Sequence, residues 1–382
     1  MTIKMREVGK QTMKFTKKRI IKKATALTLG IGLVSSSLVP PYLSSISKVH
    51  AVSITNGESI LANLTSEQRQ ALNKLSSSEQ TGLFLNTNVD LSSETSVSVI
   101  ISFNNKPQKV AVLEAAAKGK SLTNEQAKTK AEADHKTFKN DLAALLKDKP
   151  YKVKREYKHA FNGVALEVPA NLIQELMKSE AVQAIYSDAT VKAEEPVPEA
   201  EKSAESQGQG MADERSFLKV DQLHQEGYTG KGVKIAVLDT GIDYNHPDLK
   251  DAYKGGYDFV QNDTDPMETT YEDWVKAGKP GGDAATYVTS HGTHVSGTIA
   301  GQGKISSEYA TKGIAPDADL YAYRVLGPGG TGSAEGIIAA IDQAVAEGID
   351  VMNLSLGANL NDPMYPTSIA INNAVLSGVT AV

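Results

Sequence analysis

The 382-residue chain contains no cysteine. It therefore has no disulfide bond, no thiol nucleophile and no thiolate ligand for a metal ion. A fold without these bonds depends on packing, and hard cations such as calcium could add to its stability. Hydrophobic residues account for 40% of the chain, and this content is enough for two or more globular domains with buried cores.

Long apolar runs are absent beyond the N-terminal region, so no later segment is predicted to span a membrane. The first 23 residues carry nine lysines and arginines against one glutamate, and the apolar stretch ATALTLGIGLVSSSLVPPYL follows them. With the SKVHA that comes next, this pattern predicts a secretory signal peptide over residues 1–51, cleaved near Ala51. A membrane anchor is the alternative, but serines and Pro40-Pro41 interrupt the apolar stretch. We therefore expect a secreted, extracellular protein without a membrane attachment after cleavage.

Positive charge is scarce in the C-terminal part of the chain. From Glu214 to Val382 there are 22 acidic and 11 basic residues, and the whole chain has a formal net charge of −5. A negatively charged domain is repelled by the phosphates of nucleic acids. The sequence therefore argues against a nucleic-acid partner.

Residues 52–190 divide into a polar pre-segment and a small α+β domain. The pre-segment, 52–92, contains LTSEQRQALNKL, which predicts a short helix capped by Thr65 or Ser66, and nothing in it indicates a function. Over 93–190, alternating apolar residues predict four strands, two of which are expected to meet at the Asn162-Gly163 pair. Two helical segments lie between the strands. The order β-α-β-β-α-β is that of a ferredoxin-like fold.

The remaining chain comprises a linker and an α/β domain. Residues 191–213 are rich in Glu, Pro, Ser and Gly, so they predict a solvated linker that is open to proteolysis and holds a processing site. From residue 214 to 382, apolar strands such as GVKIAVLD alternate with helical segments such as SAEGIIAAIDQAVAEG. Near-continuous apolar strands in this alternation predict a parallel sheet with helices on both faces.

The strand IAVLDTGID places Asp239 at the end of an apolar run, where ligand sites of α/β sheets lie. An aspartic protease carries Asp-Thr-Gly as well, but it needs two aspartates that share a proton. This sequence has one such triplet. A second copy of the chain could supply the other aspartate, but such dimeric proteases are small β-proteins, and the pattern here is α/β.

Two histidines follow in SHGTHVSGTIAG, where His291 and His294 stand three apart at the start of a predicted helix. Packing or helix capping is one interpretation of this pair. A zinc site is disfavoured, because the sequence has no H-E-x-x-H and no carboxylate between the histidines. The glycines of this stretch, Gly292, Gly297 and Gly301, indicate a helix that lies close against neighbouring backbone.

Four stretches in order, VLDTGIDYNHPDL, HGTHVSGTIAG, GIAPDADLYAYRVL and VMNLSLG, resemble the subtilisin-like serine proteases, or subtilases. The resemblance extends from about Gln222 to Val382. Within that family, GYDFVQNDTDP and AYRVLGPGGTG are similar to the Vpr-type minor extracellular proteases of bacilli. Upstream, YKHAFNGVALEVP and LIQELMKSEAVQAIYSD are similar to the family's inhibitory propeptide. The resemblance implies a subtilisin-like α/β fold and serine endopeptidase activity on protein or peptide substrates, in a monomer.

The resemblance also implies roles for individual residues. Asp239 would accept a hydrogen bond from His291, and His291 would take the proton of a serine hydroxyl and pass it to the leaving amine. An extended peptide substrate would pair with two backbone edges. Gly330 and Gly332 match one edge and would leave room for the substrate, while Ser355, Leu356 and Gly357 match the other edge and the wall of the primary pocket. Ordinary sheet and loop glycines are the alternative.

The resemblance implies that no cofactor is required. Calcium is the cation for which the sequence offers candidate ligands. The stretch DFVQNDTDP contains four residues with hard oxygen ligands, Asp258, Asn262, Asp263 and Asp265. Their spacing is not that of an EF-hand, and a solvated acidic loop is the alternative. The chain's own propeptide is the expected intramolecular inhibitor.

One departure from the family concerns the nucleophile. The sequence contains neither the family's Gly-Thr-Ser-Met-Ala motif nor Gly-x-Ser-x-Gly, and the loop expected to supply an oxyanion-hole asparagine is missing. Its last residues, AVLSGVTAV, are typical of a buried strand. The sequence therefore predicts the N-terminal part of a secreted endopeptidase zymogen, inactive by itself. The alternative is a non-catalytic truncated form that binds or inhibits another protease.

Overall fold

The computed structural model describes residues 61–76, 80–193, 215–280, 288–305, 312–358 and 362–382. The expected signal peptide, 1–51, lies outside the described residues, as does most of the expected linker with its processing site. Among the helices of the described ranges, none combines the length and the apolar character that a bilayer crossing requires.

The N-terminal domain is built on a five-stranded sheet with the strand order β1-β5-β2-β4-β3. Neighbouring strands are antiparallel, except that β1 is parallel to β5. The strands are β1 (Gly82–Phe84), β2 (Ser96–Phe103), β3 (Lys152–Tyr157), β4 (Gly163–Pro169) and β5 (Val182–Ser187). The helices are α1 (Ser66–Ser76), α2 (Gln108–Ala117), α3 (Asn124–Leu145) and α4 (Ile173–Leu176). From β2 to β5, the predicted β-α-β-β-α-β order is confirmed.

Both faces of this sheet are buried, and strand β2 shows how. Val99, Ile101 and Phe103 share one apolar cluster with Phe138 of α3. Ile100, which points to the opposite face, belongs to a second cluster that includes residues of the C-terminal domain. The near-continuous apolar run SVSVIISF therefore reflects two packing partners, one within the domain and one outside it.

The C-terminal domain contains a five-stranded parallel sheet in the order β13-β11-β7-β9-β8. Ala236 and Leu238 of β7 pack in the cluster with helices α8 and α9, while Val237 faces Val295 and Ile299 of α7. Helices thus cover both faces, as predicted. The strands are β7 (Lys234–Asp239), β8 (Tyr253–Asp258), β9 (Asp319–Arg324), β11 (Val351–Asn353) and β13 (Thr380–Ala381). The helices are α5 (Val220–Gln225), α6 (Tyr271–Lys276), α7 (His291–Ala300), α8 (Ala334–Glu347) and α9 (Pro366–Leu376).

A three-stranded antiparallel sheet joins the two domains in the order β10-β6-β12. Its outer strands, β10 (Thr331–Ser333) and β12 (Leu356–Gly357), belong to the C-terminal domain, and its central strand β6 (Thr190–Ala193) is the end of the N-terminal domain. The solvated linker was expected to begin at residue 191. Val191 is instead only 3% exposed, because it lies between two strands and against apolar side chains.

The connection between β3 and β4 also differs from the expectation. The two strands were predicted to meet at Asn162-Gly163, but β3 ends at Tyr157 and residues 158–162 form a five-residue loop. The loop is longer than a hairpin turn because its backbone amides point at the carboxylate of Asp342 on α8. Tertiary contact, and not local turn chemistry, sets the length of this connection.

Candidate active site

Asp239 is the last residue of β7, and its side chain lies at the carboxyl edge of the parallel sheet. Only 1% of the residue is exposed. The backbone amide of Thr240 donates to its Oδ1 atom over 2.6 Å. The carboxylate is therefore buried, oriented by its own chain and placed where α/β sheets carry their ligand sites.

His291 is the first residue of α7, and the fold brings it to Asp239 from fifty-two positions along the chain. Its Nδ1 atom lies 2.8 Å from Oδ1 and 2.9 Å from Oδ2 of Asp239. The His291 side chain keeps 26% of its surface exposed. Because Asp239 engages Nδ1, the ring is oriented and Nε2 is the nitrogen left for proton transfer. His294, one turn further on, is exposed and is not part of this pair.

A close approach of α7 to the end of β7 makes this geometry possible. The amide of Gly292 donates to Oγ1 of Thr240 over 2.9 Å. A Cβ atom at position 292 would lie 2.1 Å from the carbonyl oxygen of Gly241. Position 292 therefore admits only glycine if the helix is to start beside Asp239. The close backbone contact that this stretch indicated lies at Gly292 and not at Gly297, where nothing lies within 4 Å of a Cβ atom.

Glu268 supports the start of α7, and the sequence analysis missed it. Its Oε1 atom accepts hydrogen bonds from the amide and the hydroxyl of Thr293, each 2.9 Å long. Its Oε2 atom accepts one from the hydroxyl of Thr289 over 2.6 Å. The side chain thus fixes the chain on both sides of His291 while only 8% of the residue is exposed. A glutamate followed by two threonines carries no sequence signal that would distinguish this role from an exposed loop.

The electrostatics of the pair are dominated by burial. Burial raises the pKa of the Asp239 carboxyl above its usual range, while the hydrogen bonds from His291 and from the Thr240 amide lower it. The nearby carboxylate of Glu268 raises it further. Keeping Asp239 charged therefore costs folding free energy, and such costs concentrate at functional sites.

Four of the five residues predicted to bind substrate lie against strand β6. Gly332 pairs with Val191, Leu356 pairs with Ala193, and Gly357 pairs with Lys192. In the remaining two positions, Gly330 approaches Ala193, and the hydroxyl of Ser355 accepts a hydrogen bond from Asn353 over 2.9 Å. The structure therefore brings both predicted edges to opposite sides of one extended segment.

The reason for glycine at one of these positions differs from the expectation. Gly332 was expected to leave room for a bound peptide. A Cβ atom there would instead lie 2.1 Å from the carbonyl oxygen of Val325, in the same domain. The close contact is internal, and it lets β10 fold back beside its own chain.

The predicted calcium loop is engaged by protein donors. Asp258 is buried and forms an ion pair with Arg324, with an Oδ2 to Nη1 distance of 2.6 Å. Asp265 accepts a hydrogen bond from the hydroxyl of Tyr244, and Asp263 accepts one from the amide of Asp265. Asn262 adopts a positive φ of 65° in the same turn. Across the described part of the chain, no three Asp, Glu or His side chains are grouped to hold a metal ion.

Comparison with known proteins finds a match for each of the two domains. Residues 230–382 match the subtilase family, and residues 98–194 match the family of peptidase inhibitor I9. These matches show a subtilase segment with an I9 domain ahead of it.

Among individual relatives, the minor extracellular protease Vpr of Bacillus subtilis (strain 168) is 40% identical over 301 residues, which cover 77% of this chain and 34% of that protein. Subtilisin E of the same organism is 33% identical over 250 residues, which cover 63% of this chain and 55% of that protein. The solved structure of fervidolysin from Fervidobacterium pennivorans, a keratinolytic enzyme related to subtilisin, is 19% identical. It aligns with 80% of this chain and 41% of its own, with a TM-score of 0.46. The chain thus spans a third to about half of the relatives that it matches.

Two glycine substitutions on α7 test the close approach. Gly292→Ala should destabilise the 382-residue chain by about 1–3 kcal/mol, because the added Cβ atom collides with backbone, and it should weaken the hydrogen bond between His291 and Asp239. Gly297→Ala is the matched control, since nothing lies within 4 Å of its Cβ position, and helix propensity predicts a gain of up to about 1 kcal/mol. Chemical unfolding and the NMR signal of the His291 Nδ1 proton measure both effects. Equal stability of the two variants would show that α7 is not held against Gly241.

The raised pKa of Asp239 predicts a dependence of stability on pH. Folding favours the protonated carboxyl, so this group's contribution to stability is full below the unfolded pKa of about 3.9 and is lost as pH rises through the higher folded pKa. Asp239→Asn imitates the protonated form. The variant should therefore be more stable than the parent chain at pH 7, and the difference should shrink toward pH 4. Urea unfolding across this pH range measures it, with the exposed Asp317→Asn as control. A variant less stable at pH 7 would contradict the burial argument.

Proposed function

We propose that this chain is the N-terminal part of a secreted serine endopeptidase that is made as an inhibited precursor. The observation that carries the proposal is the Asp239–His291 hydrogen bond, 2.8 Å long, in a domain whose strands β10 and β12 both pair with a strand of the chain's own I9 domain. In this proposal, Asp239 fixes the tautomer of His291 and stabilises its imidazolium form. His291 takes the proton of a serine hydroxyl through Nε2 and gives it to the leaving amine.

Two strand edges support the proposal that the substrates are proteins or peptides. Strands β10 and β12 are both short, and both pair with β6 in antiparallel register. When β6 leaves, their backbone N–H and C=O groups become available to another extended peptide. Because Val191 is buried against apolar side chains, a substrate that takes its place would also present an apolar residue at that position.

The space between β10 and β12, which β6 fills, is the groove in which a substrate would lie. The I9 domain would inhibit by occupying this groove, and a carboxylate on α8 holds the domain there. Asp342 accepts hydrogen bonds from four successive amides of the loop 158–161, and its Oδ1 lies 2.7 Å from the amides of both His159 and Ala160. On α9, the side-chain amide of Asn373 donates to the carbonyl of Ala160 over 2.7 Å. A charged acceptor shared by several amides is a strong form of hydrogen bonding.

The other end of α8 carries a second contact with the I9 domain. The carboxylate of Glu335 forms ion pairs with Nε of Arg155 over 3.1 Å and with Nζ of Lys154 over 2.9 Å. The hydroxyl of the buried Tyr157 donates to the backbone carbonyl of Glu335. In return, the carboxylate of Asp188 in the I9 domain accepts a hydrogen bond from the backbone amide of Glu335, in the first turn of α8, and thus caps this helix. The domains therefore exchange hydrogen bonds in both directions along one helix.

The nucleophile is the open part of the proposal. No Gly-Thr-Ser-Met-Ala motif occurs in the 382 residues, so we propose that the serine and the oxyanion-hole donor come from sequence that these residues do not contain. In the same proposal, the precursor enters the secretory pathway through residues 1–51, and it is processed between about residues 190 and 213. A non-catalytic inhibitor of another protease is the second candidate, favoured only by the missing serine motif.

Substitution in the longer protein, one that includes a Gly-Thr-Ser motif, tests the catalytic pair. His291→Ala should lower kcat by about 10⁶-fold and Asp239→Ala by about 10⁴-fold, as the corresponding losses in subtilisin, a relative, indicate. The control is His294→Ala, an exposed histidine of the same helix, which should leave kcat unchanged. A chromogenic peptide measures the rates. The 382-residue chain alone should show no hydrolysis, and cleavage by it that a serine-protease inhibitor blocks would refute the proposed division of the triad.

Inhibition by the I9 domain is tested in trans. Residues 93–193 should inhibit the longer, processed enzyme at micromolar concentration or below. Asp342→Asn in the enzyme should raise the inhibition constant at least about tenfold, because the loop amides lose a charged acceptor. Asp317→Asn, the same change at an exposed position, should not alter it. Absence of inhibition by the I9 domain at micromolar concentration would overturn its assignment as inhibitor.

A further inference from the structure

Helix α1, Ser66–Ser76, is part of the structure but lies outside both matched ranges, 98–194 and 230–382. It precedes the I9 domain, and its sequence indicates no function. In the fold it packs against α2 of the I9 domain and against α9 of the subtilase segment. An element that contacts both domains can influence whether they separate.

The contact has an apolar core drawn from three parts of the chain. Ala71 and Leu72 of α1 are buried, with Leu72 only 6% exposed. They form one cluster with Val110 and Leu113 of α2 and with Leu376 of α9. If the I9 domain left the subtilase segment, this cluster would be split, and its apolar surface would be returned to water.

A polar contact orients α1 on the end of α9. Both polar atoms of the Gln68 side chain form hydrogen bonds. Its Oε1 atom accepts one from the backbone amide of Thr65 over 3.1 Å, which completes a capping box. Its Nε2 atom donates one to the carbonyl of Val375 over 3.2 Å. Nearby, Nζ of Lys109 on α2 donates to the carbonyl of Ser377 over 3.1 Å. The last carbonyls of a helix lack partners within it and carry its negative dipole end, so both donors are well placed.

This contact is separate from the contacts of β6 with the groove. At the start of α9, the hydroxyl of Tyr365 donates a hydrogen bond to the carbonyl of Ser187 over 2.7 Å and accepts one from the amide of Ala189 over 2.9 Å. Helix α1 reaches the opposite end of α9, eleven residues away, and a helix of that length spans about 16 Å. The I9 domain and its pre-segment therefore hold α9 at both ends.

We propose that residues 61–76 form a clasp, a second inhibitory contact that keeps the I9 domain on the subtilase segment after the chain is cut behind β6. The proposal rests on the proposed inhibitory role of the I9 domain. Its physical basis is bivalency: while α1 stays on α9, a strand β6 that leaves the groove remains at high local concentration and returns. Release of the inhibitor then requires loss of the clasp as well as cleavage.

The test uses the 382-residue chain with a recognition site for an unrelated, sequence-specific protease inserted after Ala193. After cutting, the rate at which the N-terminal piece leaves the subtilase piece is measured by surface-immobilised binding. Gln68→Glu keeps the side-chain volume and the acceptor of the capping box, but it places a carboxylate where Nε2 donates to Val375. Dissociation should become about tenfold faster, because a carboxylate oxygen and a carbonyl oxygen are both acceptors and repel each other at the negative end of a helix dipole, and lost contacts act mainly on the off-rate.

The matched control is Gln70→Glu, the same change at an exposed position of the same helix, which should dissociate at the parent rate. Leu72→Asp, which disrupts the apolar core of the clasp, should dissociate faster than Gln68→Glu. Should Leu72→Asp fail to fold, Gln68→Glu and its control decide alone. Parent-like dissociation of Gln68→Glu would overturn the clasp. Because this readout needs no peptidase activity, an inactive longer protein would refute the proposed function and leave the clasp unaffected.

Discussion

The two edges formed by β10 and β12 impose the constraint on which the arrangement of the domains depends. Each edge carries backbone N–H and C=O groups at the surface, and unpaired strand edges of this kind attract any extended chain. In this structure, β6 satisfies both edges at once and forms the centre of a three-stranded sheet. The five-stranded sheet of the I9 domain packs against α8 and α9, and this position places the domain's last strand, β6, between the two edges. In the proposed function, this pairing of backbone groups is the means by which the I9 domain inhibits.

Helix α8 links this constraint to the rest of the molecule. Its apolar side, with Ile337 and Ile341, packs in the same cluster as Ala236 and Leu238 of the parallel sheet. Its polar side meets the I9 domain. Two carboxylates that would ordinarily face water are both buried there, because the I9 domain supplies donors to each of them. Loss of the domain would remove these donors and expose both carboxylates to water.

At the candidate active site, burial of a carboxylate has an electrostatic cost. The carboxylate of Asp239 is buried and has a second carboxylate, Glu268, close by, and both features favour its protonated form. Hydrogen bonds from His291 and Thr240 oppose this tendency and hold the carboxylate in place. A site that is costly for folding and useful for orienting an imidazole is the usual compromise between stability and activity.

The sequence by itself determined the strand–helix alternation, the parallel sheet, the ferredoxin-like domain and the candidate pair Asp239 and His291. The alternation, the sheet and the ferredoxin-like domain follow from local periodicity, and the pair follows from motifs that resemble those of a known family. Tertiary structure alone decided the roles of Glu268, Asp342 and Gln68, and it turned the start of the expected linker into β6. Each of these residues looks like an ordinary polar surface residue in sequence. Its role comes from a donor or an edge supplied by a distant part of the chain, and hydrophobic periodicity carries no information about such long-range partners.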